Sequence, residues 1–162
     1  MVLLALYSLL IESCRLCPFE TRIYGLEEPV CSQFIDTTYI MTDTVYSNSF
    51  RLYTQTKSII GGCVTPEHLN MLVASSFKLT CDKDFVYDNT SITAGTDYGQ
   101  IDDLEVWIRP SYEYEEGSIR ITFTQAFMNK AQFQNTDYTF KIEIETDDGE
   151  ELMVEKTVIM DL

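Results

Sequence analysis

A chain of 162 residues with 45% hydrophobic and 23% charged residues is long enough for one domain with its own core and too short for two. Its net charge of −15 repels phosphate backbones and anionic bilayers, so nucleic-acid binding and direct membrane insertion are not expected. Residues 1–81 hold seven acids and five bases and residues 82–162 nineteen and six, so the charge belongs to the second half.

The chain opens on its most apolar stretch, in which Val2, Leu3, Leu4, Leu6, Leu9, Leu10 and Ile11 crowd ten positions. That is too short for a membrane-spanning helix and has the length of a secretion-signal core. No Lys or Arg precedes it, and Ile11-Glu12-Ser13-Cys14 is poor for a small-x-small cleavage site. The run is therefore expected to be a working strand, central in its own domain or lying in a groove of a neighbour. Residues 1–17 form this strand and its tether, and residues 18–162 a single domain.

Five cysteines follow, Cys14, Cys17, Cys31, Cys63 and Cys81, all in the first half. Cys14-Arg-Leu-Cys17 has zinc or redox spacing, but the single histidine, His68, and the lack of a second Cys pair argue against zinc. Disulfides are the better reading, with Cys63–Cys81 and Cys17–Cys31 as the expected pairs and Cys14 left odd. They favour an extracellular or cell-surface location. The sequon Asn89-Thr90-Ser91 agrees with it and marks Asn89 for glycosylation.

Strand-length runs then recur at short spacing: 19–24, 33–41, 45–54, 69–81, 86–93, 104–108, 119–128, 138–144 and 152–160. Thr65-Pro66 could start one helical turn, since Thr caps and Pro suits the first position. In 69–81 a period of two puts Leu69, Met71, Val73, Ser75, Phe77, Leu79 and Cys81 on one face. Tyr138, Phe140, Ile142 and Ile144 alternate with polar residues, as do Leu152, Val154, Val158 and Met160, with Lys156 interrupting. Asp147-Asp148-Gly149-Glu150 between them reads as a hairpin turn with Gly in the left-handed position. The expected fold is all-β: a two-sheet antiparallel β-sandwich of immunoglobulin-like or jelly-roll type, with a swapped N-terminal strand as one way of completing it. Trp107 follows the last cysteine, so the Cys–Trp–Cys framework of a true immunoglobulin domain is absent.

Catalytic motifs are missing. His68 has no nucleophile motif beside it, and no phosphate-cradling glycine loop occurs. Asp102, Asp103 and Glu105, or Glu113, Glu115 and Glu116, supply carboxylates for acid–base work but read as solvated faces, so no enzyme is expected. No cofactor is expected either, apart from calcium as an option. Asp97, Asp102 and Asp103, or Asp82 and Asp84, are its candidate ligands. Tyr112 and Tyr114 share a face suited to packing or to protein and sugar contacts.

Two functions fit. One is a structural subunit of an extracellular fibre or surface assembly, a homo-oligomer or filament that polymerises by donating its N-terminal strand to a neighbour. The alternative is a secreted monomeric β-sandwich module that binds protein, glycan or lipid, in one version with calcium.

Overall fold

The computed structural model describes residues 20–35, 38–46, 48–61, 70–111 and 116–161. They form a β-sandwich. The first sheet runs β3 (Thr38–Met41), β2 (Val30–Ile35), β5 (Phe50–Gly61), β10 (Ser118–Phe123) and β9 (Leu104–Arg109), with β1 (Glu20–Leu26) on β5 as well. β2 covers the first half of β5 and β1 the second, so the chain from 20 to 35 is one edge interrupted at Glu27–Pro29. The second sheet runs β4 (Thr44–Val45), β13 (Glu151–Met160), β12 (Asp137–Thr146) and β6 (Leu72–Cys81). All these pairs are antiparallel except β4–β13. A small third sheet, β11 (Ala131–Gln132), β7 (Phe85–Tyr87) and β8 (Thr90–Ile92), closes one end.

Alternation of apolar and polar residues decides which face of each strand is buried. Leu52, Ile119, Ile121 and Phe123 point inward from the first sheet, and Leu79, Phe140, Ile142 and Val158 from the second, all nearly inaccessible. Phe50 and Phe123 stack at 4.1 Å, and Phe123 meets Phe140 of the opposite sheet at 5.1 Å. Such aromatic pairs add about 0.5–1.5 kcal/mol each beyond the area they bury.

The 147–150 turn is as expected, with Gly149 at φ +85°. Other expectations are corrected. The run 33–41 is two strands, β2 and β3, paired Gln33↔Ile40 and Phe34↔Tyr39. Likewise 86–93 is a hairpin, because Asp88 (φ 47°) and Asn89 (φ 63°) take consecutive left-handed conformations. The run 119–128 stops at Phe123, where Thr124 accepts the Phe127 amide at 3.2 Å and starts α1 (Gln125–Lys130). That helix drops Phe127 into the core.

In β6 the inward face holds for Phe77, Leu79 and Cys81 but fails before them. Leu72 is buried, whereas Met71 is 46% exposed. The cause is a bulge: Glu143 pairs with Lys78, yet Glu145 pairs with Val73. Ser76 holds it, its hydroxyl donating to the Val73 carbonyl and accepting the Glu145 amide, each at 2.7 Å. An irregularity of this kind reverses the inside and outside of every residue beyond it. The Thr65-Pro66 helix start lies outside the described residues.

Candidate interaction surface

Sheet edges expose unpaired N–H and C=O groups, so how each edge is covered bears on association. β6 is covered by the 94–99 loop: the Gly95 amide donates to the Cys81 carbonyl, the Tyr98 amide to Leu79, and Asp97 accepts the Leu79 amide at 3.0 Å. β1 is covered by Asn70, whose side chain bonds both backbone groups of Ile23. β9 carries Glu105 and Arg109, and charge discourages pairing. β3 has none of these devices. All four of its residues are exposed, Met41 to 79%, and among the described residues no strand pairs with its outer side.

Behind this edge lies the outward face of the first sheet, and its register sets out rows. One row reads Val30, Tyr53, Arg120, Trp107. The next reads Met41, Ser32, Arg51, Thr122, Glu105. The Arg120 guanidinium lies 5.0 Å from the Trp107 ring centre. That of Arg51 lies 4.6 Å from the Tyr39 ring and donates to its hydroxyl at 2.8 Å. Cation–π contacts of this type hold an arginine flat without neutralising it.

A cleft of about 320 Å³ opens between β2, β3 and β13, lined by Glu28, Cys31, Met41, Asp43 and Lys156. Lys156 is the residue that interrupts the inward pattern of β13. Its ammonium sits 2.9 Å from Asp43 and 3.6 Å from Glu28, and the Asp43 hydrogen bond raises its pKa above the usual lysine range.

Cys31 and Cys81 are both buried free thiols, so the expected disulfides Cys17–Cys31 and Cys63–Cys81 are not formed here. Both are enclosed in the one core and behave as small core residues. Burial pushes the Cys31 thiol up to about 12, with Asp43 adding to the rise, and burial also raises that of Cys81. Cys81 Sγ donates to the Lys83 carbonyl at 3.0 Å.

The calcium candidates do not converge: no cluster of three metal-ligating side chains occurs among the described residues. Asp97 caps the β6 edge and also accepts the Gly99 amide at 2.9 Å. Asp102 is exposed. Asp103 accepts Lys130 Nζ at 2.6 Å and the Tyr87 hydroxyl, and these hydrogen bonds, Lys130 first, hold its carboxyl below the usual range. Asp82 and Asp84 accept the amides of Thr139 and Ala94, each at 2.7 Å. Asn89 lies exposed at the β7–β8 turn.

The N-terminal run with Val2, Leu3, Leu4, Leu6, Leu9, Leu10 and Ile11 lies outside the described residues, as do Cys14, Cys17, Cys63, His68 and residues 112–115. No helix among the described residues is long and apolar enough to cross a membrane.

Sequence reasoning did not single out Asn70, Asp43, Arg51 or Arg120. For the arginines a signal existed: each sits in a strand run at the polar phase of the alternation. For Asn70, 47 residues from Ile23 in sequence, none existed.

What these elements define, among the described residues, is a β-sandwich with one undefended edge strand and an arginine–aromatic outer face. No protein-family model, no curated protein and no solved structure matches the chain.

Proposed function

We propose that the protein is a structural subunit of an extracellular fibre or surface assembly, in which copies join by strand addition at the β3 edge. The observation that carries this reading is β3 itself: Thr38-Tyr39-Ile40-Met41, exposed throughout, without a charge or a proline and, among the described residues, without a covering loop. An added strand gains main-chain hydrogen bonds along the edge, and its alternate side chains meet the apolar residues beside it. The segment Val2 to Ile11 has the length and the apolar character of such a strand. An edge that receives and a terminus that gives are different surfaces, so the contact repeats along a filament. The exposed sequon at Asn89 supports the extracellular setting.

Deleting residues 1–13 should abolish assembly and leave soluble monomer, followed by light scattering and electron microscopy. Ile40→Lys should do the same from the receiving side, since Ile40 is 43% exposed and its loss does not open the core. Unchanged filaments after either alteration would overturn the proposal. A concentration-independent monomer of 18.7 kDa would put the monomeric binding module in its place.

A further inference from the structure

The two outer faces of the sandwich carry opposite charge. On the first sheet the outward strand positions include Arg22, Arg51, Lys57, Arg109 and Arg120 against two acids, Glu20 and Glu105. On the second they include Asp137, Glu143, Glu145, Glu151 and Glu155 against Lys78 and Lys141. In a chain of net charge −15, five of eleven basic residues gathered on one sheet face is a strong segregation.

Both faces also hold charges that form no ion pair among the described residues. Arg51 and Arg120 rest on Tyr39 and Trp107 and make no ion pair among the described residues. Glu145 and Glu151 face each other directly across β12–β13, and no cation among the described residues pairs with either. Like charges so placed destabilise a sheet. A small depression of about 130 Å³ lies at this carboxylate pair, bordered by Met153, which is 59% exposed.

We infer that the arginine–aromatic face of one copy stacks on the acidic face of the next, with Arg51 and Arg120 inserted beside Glu145 and Glu151. Arg51 and Arg120 stand on adjacent strands one diagonal step apart, their guanidinium groups turned apart toward Tyr39 on β3 and Trp107 on β9. Glu145 and Glu151 stand directly opposite each other on β12 and β13, so two cations on one face meet two anions on the other. Both partners are sheet faces, which pack about 10 Å apart. Exposed apolar residues accompany the charges on each side, Trp107 and Tyr39 on one, Met153 and Ile159 on the other, as the interior of an interface requires. A free polyanion satisfies the arginines and leaves the Glu145–Glu151 repulsion in place; a second copy relieves both. The contact joins different faces, so it propagates, and it is independent of strand addition.

Sedimentation velocity of the full chain at low and high salt tests it. Association should weaken steeply as salt rises, because the contact is electrostatic. R51E/R120E and E145R/E151R should each weaken self-association roughly tenfold or more. Mixed together, they should associate again, since every contact in an alternating array then pairs opposite charges. Strand addition predicts no rescue on mixing, and no effect of E145R/E151R, so the two interfaces are told apart even where loss of the Arg51–Tyr39 contact disturbs β3. The inference is overturned if the variants associate as the wild type does, or if the mixture stays apart. It is also overturned if the wild type is monomeric and its arginine face instead retains a sulfated glycan.

Discussion

The Asn70 side chain bonds the Ile23 backbone in both directions, its Oδ1 accepting the amide at 2.8 Å and its Nδ2 donating to the carbonyl at 2.9 Å. A side-chain amide reproduces a peptide group, so Asn70 stands in for one residue of a neighbouring strand and closes the free side of β1. Asn70 is 2% exposed, and the two groups it serves have no ready access to water. Asn70→Ala leaves them unpaired, at about 1–3 kcal/mol for each buried polar group. We expect a loss of roughly 2 kcal/mol or more in urea unfolding. Asn70→Asp keeps the acceptor but loses the donor and should fall near the alanine variant. The same change should uncover a second open edge, so Asn70→Ala should aggregate faster than its stability alone predicts.

The buried thiols predict an alkaline limb. Burial raises the Cys31 pKa to about 12 and raises that of Cys81, whereas an unfolded thiol titrates near 8.5. A folded pKa above the unfolded one means stability complete below about pH 8.5 and lost as pH rises toward the folded value. Urea midpoints should therefore drop between about pH 8.5 and 10.5, and Cys31→Ala should show a shallower slope over that window. Alkylation followed by peptide mass spectrometry should find Cys31 and Cys81 unmodified in the native protein and both modified in denaturant without reductant. Failure to modify them in denaturant would show them oxidised.

Asn89 joins a conformational demand to a chemical one. Its φ of 63° and that of Asp88, 47°, make the β7–β8 connection a left-handed turn that Asn and Asp tolerate better than other non-glycine residues. Asn89→Gly should be neutral or slightly stabilising, and Asn89→Ala should cost about 1 kcal/mol. In a secreted preparation, Asn89→Gln should remove one glycan-sized step in gel mobility. No shift would withdraw the sequon from the argument for an extracellular setting.

How much was legible beforehand follows from the range of the interactions. The β12–β13 hairpin was plain because alternation and a left-handed glycine are local and agree with each other. The β2–β3 and β7–β8 pairs were read as single strands because no glycine interrupts the apolar run between their strands, at Asp88-Asn89 in the second. The face reversal at Met71 and Leu72 was hidden, since the Ser76 bulge depends on Glu145, 69 residues away. Lys156 broke the pattern visibly, but its partners Asp43 and Glu28 come from the opposite end of the chain. Charge segregation between the faces depends on strand register, which pattern alone does not supply. The disulfide expectation took cysteine number as the signal, and the free thiols reflect burial instead.

Acid should unfold the protein through a few identifiable carboxylates. Hydrogen bonds lower the pKa of Asp103 (from Lys130 and Tyr87), Asp137 (from Lys83) and Asp148 (from Thr146 and Asn70). Each depressed value means that the unfolded chain takes up protons first as pH falls. The stabilisation is therefore complete above the unfolded carboxylate pKa, near 4, and disappears as pH drops through the lower folded values. The three sites hold different parts of the molecule. Asp103 and Lys130 tie α1 to β9, Asp137 and Lys83 tie β12 to the β6–β7 turn, and Asp148 ties the β12–β13 turn to Asn70. Replacing all three with asparagine should lower the midpoint at pH 7 and flatten its decline between about pH 4 and 2. Relief of the −15 self-repulsion acts the other way over the same range and is shared by every exposed acid. A variant in which the exposed Glu151 and Glu155 are replaced by glutamine should keep the decline, which separates these sites from general charge loss.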